Sequence, residues 1–462
     1  LCFLDIHEKY HGPHGLAAGM TGSGKSELLQ TLILSLAVNF SPEEVTFLLI
    51  DFKGGGMADL FADLPHMAGR ITNLSGNGTA RALLSVKSEN LRRQRLLAAH
   101  GVNNINQYIR MYKNGRADQP LAHLVIIVDE FAELKKEEPG FMTELISVAQ
   151  VGRSLGVHLI LATQKPSGTV DERIWSNTRF RLCLRVQDCQ DSRDMLHKKD
   201  AAYITRTGRG YLQVGNDEIY EEFQTGYSGA PYEEEKKTAG TGVIPISLTG
   251  EELLPPSEMS RKPPGESQLK VLVRWIALQA EEGRYGRART LWLPPLPQKL
   301  RLEELEDGFG FHDGIWPGAE GIGARSAPVG RYDDPEHQEQ GTYRIVYPDS
   351  GHLAVCGMSG TGKSTFLRTL VFALIRRYTP EELQFYALDY SGGLLLSLRD
   401  APHCGGVAAD GETEETGRLF LLLDRIMEER KEDRKRKNER EGTQPVLLVV
   451  LDDFSGFQEK TG

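Results

Sequence analysis

Cysteine is scarce and scattered in this chain. Its five cysteines, Cys2, Cys183, Cys189, Cys356 and Cys404, show no metal-ligand spacing, and several stand in apolar, strand-like runs. That argues against a disulfide-stapled scaffold and a cysteine-based zinc site, and a reducing compartment is the simplest reading. Long apolar runs are missing too, since no stretch approaches the roughly 18 to 20 residues that span a bilayer. Basic residues are in deficit, with 54 Lys and Arg against 64 Asp and Glu and a net charge of -10. A surface that grips a DNA backbone draws most of its affinity from neutralising phosphates. The charge therefore leans away from DNA without excluding it, because an acidic body can keep one local basic channel. The run from 428 to 441 mixes both signs and reads as a solvated helical face. With 462 residues, 40% hydrophobic and 26% charged, the chain can build two domains that each bury a core.

What is present in abundance is glycine placed for phosphate. Gly19-Met20-Thr21-Gly22-Ser23-Gly24-Lys25-Ser26 and Gly357-Met358-Ser359-Gly360-Thr361-Gly362-Lys363-Ser364 both satisfy G-x-x-x-x-G-K-[ST]. An apolar run precedes each loop (residues 15–18 and 352–356) and an amphipathic pattern follows (27–38 and 365–376), which predicts strand, loop, helix. Such glycines let backbone N–H groups close around phosphates at a helix N-terminus, where the dipole favours anions. Lys25 and Lys363 are expected to reach the β- and γ-phosphates of ATP, and the Ser26 and Ser364 hydroxyls to ligate Mg²⁺. One such match could be a chance glycine-rich turn. Two with matching flanks are a repeat.

The repeat extends beyond the loops. The offset from Lys25 to Lys363, 363 − 25 = 338, also carries Pro42 onto Pro380, Glu43-Glu44 onto Glu381-Glu382, and Asp51 onto Asp389; with one residue deleted, Pro65-His66 falls on Pro402-His403. Two diverged copies of one unit are indicated. In each copy a Pro-Glu-Glu turn opens a strand that ends in an acid followed by glycines; the ordinary reading is that the Pro-Glu-Glu merely caps and the acid merely ends the strand.

A nucleotide-hydrolysing site also needs an apolar strand that ends in carboxylates. Leu124-Val-Ile-Ile-Val-Asp129-Glu130 fits in the first copy, with Asp129 assigned to Mg²⁺ and Glu130 to the attacking water. The second copy has Val446-Leu-Leu-Val-Val-Leu-Asp452-Asp453, so Asp452 takes the metal role and an aspartate replaces the glutamate. One methylene less withdraws the carboxylate by roughly 1.5 Å, and a misplacement of about 1 Å can cost about a hundredfold in rate. The second copy is expected to bind ATP and hydrolyse it poorly. Gln164, after the apolar run from Val157, is placed either to sense the γ-phosphate or to bond backbone at a strand end. A helix is expected from Phe131 to about Ser154. Arg153 at its end is the first candidate for an arginine supplied to a neighbouring subunit, and Arg179 the second; an arginine there also complements the helix dipole.

Between the copies, from about Ser228 to Tyr343, the composition shifts to linker. An amphipathic helix is expected from Glu266 to Glu282, with Val271, Leu272, Trp275, Ile276 and Leu278 as its apolar positions. Trp292-Leu-Pro-Pro-Leu-Pro297 follows as an extended segment. Its aromatic and proline content suits either a peptide-binding groove or a linker packed on its own domain. Strands are expected at Leu1–Ile6, which begins abruptly at a residue other than Met, and at Thr342–Tyr347.

The runs Leu16 to Glu27, Ile50 to Gly56, Leu64 to Asn73, Asp129 to Glu133, Gly152 to Gln164, Lys165 to Arg179 and Gly208 to Gly215 together resemble the FtsK/SpoIIIE family. Within it they are most similar to the membrane ATPases of type VII secretion. The resemblance covers nearly the whole first copy and, more weakly, the second. It implies consecutive ATPase domains on one chain, assembly as a homo-hexamer, a membrane anchor outside this sequence with the present part on the cytoplasmic side, other subunits of a membrane complex, and small helical WXG-type proteins as secreted substrates. Asp453 departs from the family pattern.

The resulting expectation is an α/β protein with tandem RecA-like P-loop domains, each a mostly parallel sheet flanked by helices. The first spans 1–227, a linker 228–343, and the second, partial at its later strands, 344–462. ATP-driven protein export leads; a DNA translocase or conjugative coupling ATPase is the alternative, and a nucleotide-gated scaffold the third reading.

Overall fold

Continuous apolar runs, rather than alternating ones, mark strands buried on both faces. Val45–Asp51 and Val157–Thr163 are buried at every position, and each lies inside the first sheet with a strand on both sides. The computed structural model describes residues 2–7, 9–51, 56–72, 77–170, 172–232, 266–294, 296–305, 316, 325–347, 349–435 and 444–461. The chain divides into two compact units, residues 1–293 with 335–338, and residues 294–334 with 339–462.

In the first unit the strands are β1 (Gly15–Ala18), β2 (Val45–Asp51), β3 (Met67–Ile71), β4 (His123–Asp129), β5 (Val157–Thr163), β6 (Phe180–Leu184), β7 (Arg209–Val214) and β8 (Ile219–Gln224). They form one sheet in the order β3-β2-β4-β5-β1-β6-β7-β8. All pairs from β3 to β6 are parallel, and β7 and β8 add antiparallel strands at one edge. The helices are α1 (Lys25–Asn39), α2 (Gly56–Leu60), α3 (Asn77–Ala99), α4 (Ile105–Lys113), α5 (Phe131–Glu137), α6 (Pro139–Gly152), α7 (Glu172–Asn177), α8 (Cys189–Leu196) and α9 (Gln268–Glu282). One face of the sheet packs on α1, α2 and α9 through Leu29, Ile33, Met57 and Val273. The other packs on α3, α5, α6 and α8 through Val86, Phe131, Leu145 and Met195. This is the expected α/β architecture.

Local differences from expectation have local causes. Residues 2–6 form no strand. The helix after Glu130 is broken at Glu138, because Pro139 cannot donate its missing N–H to α5 and instead opens α6 at its first turn. Ser267 caps α9 by accepting from the Lys270 N–H, and Leu269, Val273, Ile276 and Ala280 are its buried face while Trp275 is half exposed. The chain after α9 runs beside edge strand β3: Ala288 N–H donates to Pro65 O and Leu291 N–H to Ala68 O, each at 2.8 Å. The Trp292 ring lies over Gly69, where a Cβ would come within 2.7 Å of it. This stretch packs on its own domain and covers an edge that would otherwise expose unpaired backbone.

The second unit contains a hairpin of β9 (Arg325–Asp334) and β10 (Glu339–Tyr347), then α10 (Lys363–Ile375), β11 (Leu383–Asp389), β12 (Cys404–Ala409), α11 (Thr413–Lys435), β13 (Val446–Asp452) and α12 (Phe454–Thr461). β12-β11-β13 is a parallel sheet that repeats β3-β2-β4. The repetition reaches individual hydrogen bonds. Both pairings carry an irregularity at equivalent points, Phe47/Leu48 and Phe385/Tyr386. His66 Nε2 bonds Phe40 O at 2.8 Å and His403 Nε2 bonds Tyr378 O at 2.6 Å. Burial pushes both imidazoles below their ordinary pKa, so the neutral ring donates through Nε2. The Pro-Glu-Glu turns are capping devices: Ser41 Oγ donates to Glu44 Oε2 and Thr379 Oγ1 to Glu382 Oε2, both at 3.2 Å.

One expected strand is absent. Residues 352–356 carry no strand and are largely exposed. In the first unit the equivalent β1 is held between β5 and β6; among the described residues of the second unit no strand takes either place, and an apolar run without a ladder on both sides leaves its backbone unpaired.

Candidate nucleotide site

Where β1 ends, the chain must turn tightly enough for backbone N–H groups to converge. Gly22 and Gly24 adopt φ of 78° and 95°, and Gly360 and Gly362 in the second unit 77° and 95°. This left-handed backbone costs glycine least. The first loop is fastened on both sides: Gly19 N–H donates to Thr163 O at 3.2 Å and Met20 N–H to Arg185 O at 2.9 Å. A third tie comes from the turn before β7, where Gly208 N–H donates to Ser23 O at 2.8 Å. Gly208 has φ of 76°, and a Cβ there would lie 2.6 Å from the Gln224 amide and 2.8 Å from Thr225. Sequence reasoning gave Gly208 no role; a glycine ahead of a β-hairpin was the available signal. Gly208→Ala is expected to destabilise the first unit by about 1–3 kcal/mol, read as a lower melting temperature, and to weaken nucleotide binding by loosening the loop.

The strand-end acids converge as the parallel register demands. Asp51 lies opposite Asp129, and Asp389 opposite Asp452. Asp51 Oδ2 accepts from Met57 N–H of α2 at 3.1 Å, and Asp389 holds the turn after β11, accepting from the N–H groups of Gly393 at 3.0 Å and Leu395 at 2.8 Å. Their hydrogen bonds fit the capping reading. Lys25 Nζ is ion-paired with Asp129, both largely buried. Lys363 instead turns back to its own loop and donates to Gly357 O and Met358 O, each at 2.9 Å. Asp452 is 3% exposed, and among the described residues its Oδ2 has no hydrogen-bond partner. A buried carboxylate oxygen left in that state is costly, and it is the donor type a hard divalent cation takes. Ser26 and Asp129, and Ser364 and Asp452, are thus of the right chemistry to hold Mg²⁺.

Glu130 follows β4 with φ of 60° and ψ of 55°. A non-glycine residue there costs about 1 kcal/mol or more and persists where the surroundings impose it. Here they do: the buried Glu130 carboxylate accepts through Oε1 from Thr163 Oγ1 at 3.0 Å and from Gln164 N–H at 3.2 Å. Gln164 in turn accepts, through its side-chain Oε1, from Thr21 Oγ1 of the loop at 2.9 Å. Gln164 therefore joins the acid to the phosphate loop. Asp453 adopts the same left-handed conformation, φ 66°, but is exposed.

The arginines lie elsewhere. Arg153 is placed before β5 and Gln164 after it, so the seven-residue strand puts them about 20 Å apart. Arg153, Arg179 and Arg181 line a cavity of about 610 Å³ with His14 and Trp175 at the N-terminal ends of the strands. Arg181 stacks 3.4 Å from the centroid of Trp175, and burial pushes its pKa down to about 10. Arg179 pairs with Glu218 at 2.8 Å. The geometry brings Lys25, Asp129, Glu130, Gln164 and the loop together and leaves the arginines out.

A family description matches this arrangement over residues 3–168 and 329–446, that of the FtsK/SpoIIIE family. The chain belongs to the FtsK/SpoIIIE family. Among its members the chain is 44% identical over 476 residues to the ESX secretion system protein EccC of Geobacillus thermodenitrificans, with 99% of the chain and 31% of that protein covered. It is 42% identical over 482 residues to the type VII secretion system protein EssC of Staphylococcus aureus, covering 99% of the chain and 32% of that protein. The chain thus spans about a third of the length of these FtsK/SpoIIIE relatives. Among solved structures, the cytoplasmic domain of the Thermomonospora curvata type VII secretion ATPase EccC matches with a TM-score of 0.78 at 31% identity, over 99% of the chain and 52% of that structure. The fold is shared with ATPases 2 and 3 of Geobacillus thermodenitrificans EssC, TM-score 0.68 at 15% identity, over 96% of the chain and 80% of that structure. No described helix is long and apolar enough to cross a membrane.

Proposed function

We propose that the first unit hydrolyses ATP and that the link from Thr21 through Gln164 to Glu130 couples the phosphate loop to the group that activates water. That link is the observation that carries the reading. The loop N–H groups and Lys25, released from Asp129, bind the β- and γ-phosphates; Glu130, held by Thr163 and Gln164, orients the attacking water and takes up its proton; loss of the γ-phosphate is felt at Thr21 and passed to Gln164. Mg²⁺ held by Ser26 and Asp129 would neutralise charge on the phosphates. The second unit binds nucleotide at Lys363, Ser364 and Asp452 and turns it over slowly, because Asp453 has the same backbone conformation but a shorter side chain. Lys25→Ala is expected to lower phosphate release by about a hundredfold or more, whereas Lys363→Ala leaves most of it. Substantial hydrolysis surviving Lys25→Ala would contradict this division.

Arg153 serves a neighbouring copy of the chain, not its own site, since about 20 Å of strand separates it from Gln164. In the homo-hexamer proposed for the full protein, mixing Arg153→Ala subunits with Lys25→Ala subunits restores part of the activity that each lacks alone. Failure of such mixtures to recover activity, with ring assembly confirmed, would remove the role in trans.

The motor exports small helical WXG-type proteins across the cell membrane with other subunits of a type VII secretion complex, the full-length protein being membrane-bound and this part cytoplasmic. The names of the EccC and EssC relatives and the acidic chain support this over DNA translocation. Fluorescence anisotropy with a labelled WXG-type peptide, competed by duplex DNA at two salt concentrations, tests it. Peptide binding that DNA leaves intact supports export; tight, salt-sensitive DNA binding without a peptide signal favours the DNA motor.

A further inference from the structure

The second unit carries a hydroxyl where its repeat partner carries a cation. The offset that places Lys25 on Lys363 places Lys53 on Ser391. Ser391 Oγ lies 3.2 Å from Ser364 Oγ, the hydroxyl at the end of the second phosphate loop. Ser391 is not loosely placed. Its N–H and those of Gly392 and Gly393 all donate to Asp389 Oδ1, at 3.3, 3.3 and 3.0 Å, and Leu395 N–H donates to Asp389 Oδ2 at 2.8 Å. Asp389 is 2% exposed, so a buried carboxylate pins the turn that presents Ser391. Gly392 and Gly393, with φ of 143° and 79°, permit that turn.

We propose that Ser391 is a positioning residue for Mg²⁺-nucleotide in the second unit, holding the Ser364 hydroxyl so that its lone pairs face the metal. This rests on the reading of the second unit as a nucleotide site. A serine hydroxyl has one proton to donate and two lone pairs. A cation draws on the lone pairs and makes the O–H a better donor, so the metal-bound state selects Ser364 as donor and Ser391 Oγ as acceptor. Asp452, whose buried Oδ2 has no partner among the described residues, supplies the anionic partner at the end of the neighbouring strand. A lysine ammonium has donors but no acceptor, so the residue type at the equivalent sequence position in the first unit could not supply this acceptor. The two units then differ in how nucleotide affinity depends on the metal.

The test uses the full chain carrying Lys25→Ala, which disables the first loop, with mant-ATP binding followed in Mg²⁺ and in EDTA. Ser391→Ala is expected to weaken binding about tenfold in Mg²⁺, the scale of losses from groups behind a metal ligand, and to leave binding in EDTA unchanged. In the Ser364→Ala background, Ser391→Ala should add nothing, because the hydroxyl it positions is gone. Ser391→Lys should behave like Ser391→Ala or worse. An equal change in Mg²⁺ and EDTA, no change in either, or full additivity with Ser364→Ala would overturn the proposal. Absence of any mant-ATP binding in the Lys25→Ala chain would overturn the nucleotide reading of the second unit and this inference with it. Ser391 is exposed, and an unchanged melting temperature for Ser391→Ala shows that the chain still folds.

Discussion

Glu130→Gln is expected to lower ATP hydrolysis by about 10²–10⁴-fold, the range ascribed to a positioned general base, while ATP still binds. The amide keeps an oxygen to accept from Thr163 Oγ1 and Gln164 N–H, so the loop after β4 retains its shape and only proton uptake is lost. Steady-state phosphate release and mant-ATP binding, measured on one preparation, separate the two. Glu130→Gly carries the argument further. It removes a side chain from a left-handed residue, φ 60°, and relieves strain of about 1 kcal/mol, although it also gives up the hydrogen bonds to Thr163 and Gln164. A variant as stable as the parent or more so, yet inactive, would identify Glu130 as a residue kept for function at a cost in stability. Glu130→Gln retaining more than about a tenth of the parental rate would exclude the general-base role, which is worth at least about a hundredfold.

The second large effect is acid lability of the first unit. His14, His123 and His158 cluster at the N-terminal ends of β1, β4 and β5. Leu159 N–H donates to His14 Nδ1 at 3.0 Å. His158 Nδ1 bonds Pro13 O at 3.2 Å, and His158 Nε2 lies 2.9 Å from His123 Nδ1. A carbonyl can only accept, so His158 donates through Nδ1 and accepts at Nε2 from His123. A proton added at that nitrogen would face another N–H. Burial lowers the pKa from 6.5 to about 3 in His14, about 3 in His123 and about 4 in His158. Folded values below the unfolded one mean that the unfolded chain takes up protons first. The contribution to stability is therefore complete above about pH 6.5 and is lost as pH falls toward about 3. At about pH 4.5 each histidine has given up about 3 kcal/mol. The first-unit transition is expected to fall by at least about 10 °C between about pH 7.5 and 4.5. His158→Gln, which offers no titrating ring, should flatten that slope, and an unchanged slope would show that other groups control it.

The phosphate loops, Asp129, Asp452 and the glutamate-to-aspartate change were legible because each sits at a fixed offset from a glycine-rich turn or at the end of an apolar strand. Gln164 was ambiguous until its side chain was seen on Thr21. The histidine cluster was invisible, because His14, just before β1, and His123 and His158, at the starts of β4 and β5, are far apart in the chain and nothing in their spacing announces that parallel pairing brings these ends together. Residues 352–356 read as a strand for the same reason in reverse: an apolar run reports the tendency of a segment, whereas a strand exists only where neighbours complete its ladder.

By itself the sequence determined that two diverged copies of one P-loop unit lie on this chain, with their loops, acidic strands and likeness to FtsK/SpoIIIE proteins, since these are properties of short contiguous segments. Only the tertiary structure decided that Gln164 ties Glu130 to the loop, that Gly208 buttresses it, that Arg153 stands at the far end of the sheet, that Asp51 accepts from the start of α2, and that Asp389 braces the turn after β11. Those outcomes depend on strand order and register, which follow from how buried surfaces fit together across long separations in the chain and not from the local preferences of any segment.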